Sequence, residues 1–381
     1  MADVGSLAAE ARAAGRLGID TEFLPEGRYR PLLCLVQVAV PGRVELLDPL
    51  AGFDPSPLAA VLADPAVEVV MHAGRQDVAL LRRDWGTEVT NLFDTQVAAG
   101  FAGRGAQEGY LSLLQGVLGV QLPKSASFTR WDARPLTPEQ LDYARGDVEH
   151  LLALTTALQE SLMQSGRLQW AREECLRIAA ATDERDPDEV WRRLPRVGSL
   201  SGRERAVARE LAAWRERTAE SEGRPVGSVL KDPTLIELVR RQPSARGALA
   251  QIRGLHQDVI RRRGRDLLAV IERAQQLPPV PVPDEERSGA IQADGPVVAL
   301  AEALVRARAL EAGLAYELIA ARADLGRIVV CARTGGPEPP ARVLEGWRRE
   351  LVGAELLELL AGGRALLVAD GRRVEVGSTG P

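Results

Sequence analysis

The chain has 381 residues, of which 45% are hydrophobic and 27% are charged, and this composition excludes a disordered or collagen-like protein. It contains no run of about 18 apolar residues, and its N-terminus lacks the apolar core of a signal peptide. Its three cysteines are far apart and form neither a CxxC zinc motif nor a disulfide framework. We therefore expect a cytoplasmic protein of two or three domains with no membrane partner.

The first part of the chain alternates between strand and helix patterns. Short apolar stretches bounded by Pro or Gly predict strands at 16–23, 32–40, 44–48 and 67–72. Apolar spacing predicts helices at 57–62, 75–85 and 138–164. The last of these begins with Thr137 as N-cap and Pro138 in its first turn. This order indicates an α/β or α+β layered domain over residues 1–182.

The rest of the chain predicts two helical domains joined by linkers. Residues 183–202 are polar and Pro-rich and are interpreted as a linker, followed by a helical domain at 203–277. A Pro-rich linker is predicted at 278–294, and a second helical domain at 295–376. Asp370 and Gly371 predict a hairpin turn near its end.

Charge is distributed unevenly along the chain. The net charge of −5 divides into −8 for residues 1–202, +6 for residues 203–277 and −3 for residues 278–381. A basic segment between acidic flanks indicates that the middle domain binds an anionic partner.

Three acidic clusters in the first domain are candidates for catalysis. Asp20 and Glu22 alternate along the first strand and share one of its faces, where paired carboxylates form half of a hard-cation site. Asp77 begins a helix, and Tyr143 and Asp147 have the i, i+4 spacing that places them on one helical face. Taken singly, each is more typical of an acidic loop, a helix cap or an ordinary helix surface.

In combination and in this order, the clusters resemble a known family. Asp20-Thr21-Glu22-Phe23, HxxxxD at 72–77 and YxxxD at 143–147 resemble the three motifs of DEDD 3′–5′ exonucleases of the tyrosine subtype. Flanking stretches narrow the resemblance to ribonuclease D over residues 5–180. These stretches are YRPLLCLVQ at 29–37, DTQ at 94–96, KS at 124–125 and WDARPL at 131–136.

The resemblance implies a fold and a mechanism. The fold would be a ribonuclease-H-like exonuclease domain, a mixed sheet with flanking helices, followed by two all-α HRDC-type domains. Asp20, Glu22, Asp77 and Asp147 would hold two divalent metal ions, Mg²⁺ or Mn²⁺, and Tyr143 would orient the attacking water. Two such cations stabilise both the attacking and the leaving oxygen when a phosphodiester is cleaved in line. This chemical argument supports a two-metal site independently of the resemblance. The products would be nucleoside 5′-monophosphates.

Other residues are candidates for binding an RNA with a single-stranded 3′ end. Phe23 can stack on a terminal base or pack in the core, and His72 can bind substrate or satisfy a backbone group. Lys124 and Arg130 can contact phosphates or remain solvated loop charges. In the middle domain, Arg261, Arg262 and Arg263 form a basic cluster that can contact the phosphate backbone.

Residues 203–276 resemble the HRDC domain of RecQ-type helicases and ribonuclease D. The resemblance is carried by LAAWR at 211–215, PVGSVLKD at 225–232 and LAQIRG at 249–254. Trp214 and Leu230 are predicted to pack in its core. Residues 295–375 resemble a second, diverged copy through AARADL at 320–325 and GWRREL at 346–351.

The sequence therefore predicts a 3′–5′ exoribonuclease that trims precursor tRNA and other structured RNAs. Two alternatives remain open at this point, namely a 3′–5′ DNA exonuclease and an inactive nucleic-acid-binding scaffold. A helicase is excluded because the chain has no GxxxxGK[ST] phosphate loop. The sequence identifies no protein partner.

Overall fold

The computed structural model describes residues 3–123, 130–281, 294–371 and 373–379. They divide into two compact units. The first unit comprises Met1–Glu22, Leu33–Thr182 and Ser288–Pro381, and the second comprises Phe23–Leu32 and Asp183–Arg287. No helix within the described ranges is long and apolar enough to span a membrane.

A five-stranded mixed sheet lies at the centre of the first unit. Its strands are β1 (Arg16–Leu24), β2 (Leu32–Val40), β3 (Arg43–Leu47), β4 (Glu68–Met71) and β5 (Leu92–Asp94). They lie in the order β3-β2-β1-β4-β5; β1, β4 and β5 run parallel, and β3 is antiparallel to β2. The four predicted strands are confirmed to within one residue, and β5 is additional. Because β1 and β4 are parallel, the residues that follow them meet at one edge of the sheet.

Eight helices lie among the described residues before residue 183. They are α1 (Val4–Ala14), α2 (Ser56–Leu62), α3 (Arg75–Trp85), α4 (Thr95–Phe101), α5 (Tyr110–Leu118), α6 (Pro138–Glu149), α7 (Leu151–Gln164) and α8 (Leu168–Ala179). Apolar residues of α1, α2 and α3 form a core with β1, β2 and β4.

The prediction of a single helix over 138–164 is wrong in one respect, because two helices, α6 and α7, occupy this range. The backbone of His150 (φ −104°, ψ 0°) leaves the helical path between α6 and α7. The predicted cap is confirmed, since Thr137 and Gln140 form a reciprocal capping box. The physical reason for the break is tertiary: α6 contacts β3, whereas α7 contacts β4, α4 and α5.

The C-terminal segment shares its hydrophobic core with the sheet-containing part of the first unit. Its helices are α14 (Asp294–Ala312), α15 (Tyr316–Ile319), α16 (Arg322–Thr334), α17 (Gly346–Arg348) and α18 (Ala354–Leu360), with a 3-10 turn at Arg342–Leu344 and a π turn at Arg349–Gly353. Trp347 is buried and contacts the rings of Phe101 and Trp170, with centroid separations of 5.0 and 5.1 Å. The predicted hairpin is present as β6 (Arg364–Ala369) and β7 (Arg373–Ser378).

The second unit is helical and has its own core. Its helices are α9 (Gly202–Ser221), α10 (Val226–Val229), α11 (Asp232–Arg241), α12 (Arg246–Leu249) and α13 (Gln257–Gln276). Leu230 is buried in this core and Trp214 packs against it, as predicted. The segment predicted as the linker 183–202 carries two 3-10 turns, and its Trp191 is 3% exposed in the same core. That segment therefore contributes to the core of the second unit.

Candidate active site

Three of the four predicted carboxylates converge at one point. Asp20 and Glu22 project from β1 and Asp147 from α6, and one ligand oxygen of each lies within 4.8 Å of the other two. Alternation along β1 places Asp20 and Glu22 on one face of the strand. The fold brings α6, and with it Asp147, to this face from more than 120 positions away in the sequence. Three such oxygens form a donor set that suits a hard divalent cation.

Asp77 adjoins this cluster but is held by a neighbour. It lies in the first turn of α3 and is 7% exposed, and its Oδ1 accepts a hydrogen bond from the hydroxyl of Thr21. Thr21 lies between Asp20 and Glu22 on β1, with its side chain on the opposite face of the strand. The charge of Asp77 raises the pKa values of both Asp20 and Glu22. The structure thus places all four predicted acids in one electrostatic site.

Without a cation, these acids resist ionisation. Burial and the charges of the neighbouring carboxylates raise the pKa of Glu22 to about 8 and hold the pKa of Asp20 well above its ordinary value. Burial raises the pKa of Asp147 to about 7 and that of Asp77 to about 6. Negative charges concentrated in this way are stabilised by a bound cation, so the residues present fit a divalent metal ion.

Tyr143 completes the predicted set. Its side chain lies one helical turn from Asp147 on α6, and the interaction between the two groups lowers the pKa of Asp147. Burial and the charges of Asp147, Glu22 and Asp20 raise the pKa of this phenol above its ordinary value. Tyr143 therefore stays protonated near neutral pH and acts as a hydrogen-bond donor, not as a base. Its ring lies 6.0 Å from that of Trp131, which is buried.

A cavity of about 1010 Å³ opens beside Tyr143 and Asp147. The residues that line it come from α5, α6 and the segment before each helix. They are Gly109, Tyr110, Leu111, Ser112, Leu122, Pro123, Thr137, Glu139, Asp142, Tyr143, Gly146 and Asp147. The reacting groups are therefore accessible from one side, through a space large enough for part of a polymer chain.

Comparison with known proteins agrees with this geometry. Residues 2–163 match a family model described as 3′–5′ exonuclease, and residues 204–271 match the HRDC domain model. Ribonuclease D of Gluconacetobacter diazotrophicus is 38% identical over 94% of this chain and 91% of its own length. Ribonuclease D of Granulibacter bethesdensis is 35% identical over 99% of this chain and 95% of its own.

The chain belongs to the ribonuclease D family. The structure of Escherichia coli RNase D, an exoribonuclease involved in structured RNA processing, superposes with a TM-score of 0.85 at 32% identity and covers 94% of this chain and 96% of its own. The predicted family, fold class and enzyme class, a 3′–5′ exoribonuclease, are confirmed. Enzymes of this family depend on metal ions, and the acidic cluster is where this chain would bind them.

One residue of the ribonuclease D site was not predicted to have a role. Asp94 is fully buried, and its carboxylate accepts backbone N–H groups from Ala73, Gly74, Gln96 and Val97 at 2.8 to 3.2 Å. It thereby connects the end of β5 to the start of α3, which carries Asp77. The DTQ resemblance at 94–96 was the available signal, but nothing local indicates which N–H groups the carboxylate binds.

Gly74, at the start of α3, has a steric requirement. A Cβ at this position would lie 2.6 Å from the Cβ of Met71. Ala73, the residue before it, has a positive φ of 55°. The turn that presents Asp77 is therefore tightly constrained, and Asp94 satisfies its backbone donors.

His72 and Phe23, two candidate substrate contacts, differ in their surroundings. The Nδ1 atom of His72 lies 3.0 Å from the hydroxyl of Thr95, and its ring lies 5.4 Å from that of Tyr110. Burial lowers the pKa of His72, so its ring is neutral near pH 7. Phe23 is half-buried near the end of β1 and is not among the residues lining the cavity. Their substrate contacts stay predictions.

The basic candidates differ in their availability. Arg130 is exposed and forms an ion pair with Asp132 at 3.0 Å, and Lys124 lies outside the described residues. Arg263 is 12% exposed and donates to both carboxylate oxygens of Glu222, at 2.9 and 2.7 Å.

Arg261 and Arg262 are solvent-exposed on α13. Arg261 pairs with Asp258 at 2.9 Å, and the Nε of Arg262 donates to the carbonyl of Asp258 at 3.3 Å. The predicted cluster therefore offers two accessible guanidinium groups, whereas the third is engaged with Glu222.

Proposed function

We propose that this chain is a metal-dependent exoribonuclease that removes nucleotides one at a time from unpaired 3′ ends of RNA. Precursor tRNA and other structured RNAs with a single-stranded 3′ extension are the proposed substrates, and nucleoside 5′-monophosphates are the products. The observation that carries the proposal is the convergence of Asp20, Glu22 and Asp147, with Asp77 beside them and Tyr143 one helical turn from Asp147.

We assign Asp20, Glu22, Asp77 and Asp147 to holding two divalent ions, Mg²⁺ or Mn²⁺. Such ions supply Lewis acidity and charge neutralisation at the scissile phosphate. The carboxylates hold them by giving up their protons, and the raised pKa values mean that this step is favoured as pH rises from 6 to 8. Oxygen donors without nitrogen or sulfur favour these ions over zinc.

Tyr143 is the proposed residue that orients the attacking water. Its phenol keeps its proton near neutral pH because burial and the nearby carboxylates raise its pKa. The hydroxyl can therefore donate a hydrogen bond to Asp147 and accept one from a water aligned with the phosphorus. Positioning of this kind, and not proton abstraction by the phenol, is the role that its environment supports.

Digestion of a matched RNA and DNA pair tests the function. Both oligonucleotides carry a 5′ label and an unpaired 3′ extension of identical sequence, and each is incubated with Mg²⁺, with Mn²⁺ or with a chelator. Stepwise shortening of RNA from its 3′ end, with nucleoside 5′-monophosphates released only when metal is present, is the expected result. Faster digestion of DNA would favour the DNA exonuclease alternative, and internal cleavage that releases oligonucleotides in place of mononucleotides would overturn the assignment.

A further inference from the structure

The cavity beside the active site has mostly apolar walls. Tyr110 and Leu111 lie at the start of α5 and Leu122 and Pro123 in the segment after it, and together they line the cavity. Leu111 is 42% exposed, so it presents apolar surface to this space. Because Tyr143 and Asp147 line the same space, whatever enters it lies directly beside the reacting phosphate.

The polar groups at the edge of this cavity carry negative charge. Glu139 and Asp142 line it from α6, and both are exposed. A backbone N–H and the hydroxyl of Thr137 hold the pKa of Glu139 below its ordinary value, so this group is ionised at neutral pH. Among the described residues that line the cavity, none is Lys or Arg.

This combination discriminates between the parts of a nucleotide. Carboxylates repel a phosphate, and apolar and aromatic walls favour a nucleobase through burial and stacking. Ionised carboxylates are acceptors only, so they bind groups that present N–H donors. Adenine, cytosine and guanine present an exocyclic amino group, whereas uracil presents carbonyl oxygens along most of its edge.

We propose that this cavity binds a nucleobase of the RNA next to the scissile phosphate and that Glu139 and Asp142 select bases bearing an exocyclic amino group over uracil. The inference rests on the proposed function, since it assigns a base subsite to the same active site. Because both carboxylates are exposed and screened by water, the expected preference is modest, at about 5-fold in kcat/KM.

The carboxylate part of the proposal is tested with single-stranded oligoadenylate, oligocytidylate and oligouridylate of equal length. The wild-type chain is expected to degrade the first two about 5-fold faster than the third. Asp142→Asn and Glu139→Gln replace an acceptor-only group by an amide that can also donate to uracil, so each is expected to reduce this ratio, and the double variant to bring it near unity. Glu149→Gln is the matched control, because Glu149 is exposed on the same helix and does not line the cavity.

The wall of the cavity is tested with Leu111→Ala, which is expected to raise KM for oligoadenylate several-fold. The control is Leu50→Ala, because Leu50 is 41% exposed and lies outside the cavity. Hydrolysis of bis(p-nitrophenyl) phosphate, a phosphodiester without a nucleobase, is expected to fall less in Leu111→Ala than hydrolysis of oligoadenylate. An equal loss on both substrates would overturn the base subsite.

Different outcomes would contradict the proposed function and the proposed base selection. If the wild-type chain hydrolyses neither RNA nor the nitrophenyl ester with Mg²⁺ or Mn²⁺, the proposed function fails. If it hydrolyses RNA but treats the three homopolymers alike, or if the ratio survives in the double variant, the base selection is overturned and the function stands.

Discussion

The carboxylate of Asp94 accepts the backbone N–H of Gly74 at 2.8 Å, and it accepts that of Ala73 at 3.2 Å. A fully buried acid at the end of β5 thereby fixes the turn from which α3 starts, and α3 carries Asp77. The Sγ atom of Cys175 on α8 accepts the backbone N–H of Asp94 at 3.2 Å, which adds a further connection to the core. The position of Asp77, a proposed metal ligand, thus depends on the carboxylate of Asp94, which binds the turn that precedes it.

Asp94→Asn is therefore expected to lower activity by about 10- to 100-fold. An amide can accept fewer of the four N–H groups, so stability should also fall by about 1–3 kcal/mol. The measurements are kcat on RNA, Mn²⁺ affinity by calorimetry and urea unfolding. Asp64→Asn is the control, because Asp64 accepts a backbone N–H from Ala66 at an exposed turn. Unchanged Mn²⁺ affinity would show that the turn does not position Asp77.

Asp20→Asn should abolish turnover and yet stabilise the metal-free protein. A carboxyl whose pKa is raised by folding binds its proton more tightly in the native state than in the unfolded state, so metal-free stability falls as pH rises from 5 to 8. Removing Asp20 relieves part of this cost. In EDTA at pH 8 the Tm of the variant is expected to exceed that of the wild type, with a smaller difference at pH 5.

Glu26→Gln, which changes an exposed acid, is the control for the Asp20 experiment and should change neither Tm nor activity. With Mn²⁺ the order is expected to reverse, because only the wild type gains stability from the ion. A variant that is less stable at pH 8 without metal would show that the carboxylates do not repel one another in the folded state.

Tyr143→Phe separates water positioning from metal binding. The loss of the hydroxyl should lower kcat by about 10- to 100-fold, because the attacking water is no longer aligned. Mn²⁺ affinity should remain near the wild-type value, since the phenol is not a proposed ligand. Calorimetry checks this, and Tyr316→Phe in the C-terminal segment is the control. A large loss of Mn²⁺ binding would instead place Tyr143 among the metal ligands.

Arg348→Ala is expected to destabilise the first unit as a whole. Arg348 is fully buried, pairs with Glu174 on α8 and donates from Nε to the carbonyl of Leu318 at 2.7 Å. Breaking a buried ion pair on one side costs about 3–5 kcal/mol when the remaining charge is unpaired. Glu174 keeps its ion pairs with Arg342 at 3.1 Å and Arg177 at 3.8 Å, so we expect a loss of about 3 kcal/mol or less.

Urea unfolding followed by activity is the measurement for Arg348→Ala. Arg349→Ala is the matched control, because its neighbouring guanidinium is exposed and pairs with Glu338, and it should unfold like the wild type. Unfolding of the C-terminal helices alone, with nuclease activity intact, would contradict this prediction. It would show that the shared core does not couple these helices to the sheet-containing part of the first unit.

Arg261 and Arg262 are expected to contribute to RNA affinity through salt-sensitive binding to phosphates. The double change to Ala should weaken binding of a structured RNA and lower the salt slope of log Kd by about 0.7 for each single-strand phosphate that the protein no longer neutralises. Arg263→Ala should have a smaller effect, because its guanidinium is engaged with Glu222. The measurement is Kd against KCl concentration with Asp20→Asn as background. Equal slopes for the wild type and the double variant would exclude a phosphate-binding role for this pair.

Much of the site is predictable from sequence because it depends on short-range periodicity. Strand alternation places Asp20 and Glu22 on one face, and helical spacing places Tyr143 and Asp147 one turn apart. Both relationships are present in the structure. The cap at Thr137 and the positive φ values of Asp370 and Gly371 at the hairpin are likewise set by residues a few positions apart.

Relationships between distant segments were decided only by the tertiary structure. The break at His150, the four N–H groups bound by Asp94 and the pairing of Arg263 with Glu222 involve partners that no local pattern specifies. The same holds for the C-terminal helices, whose Trp347 fills a core shared with Phe101. A sequence pattern indicates which face of an element is buried, but the partner is selected by packing and hydrogen bonding across the whole fold, where burying an unpaired polar group costs more than any local preference gains.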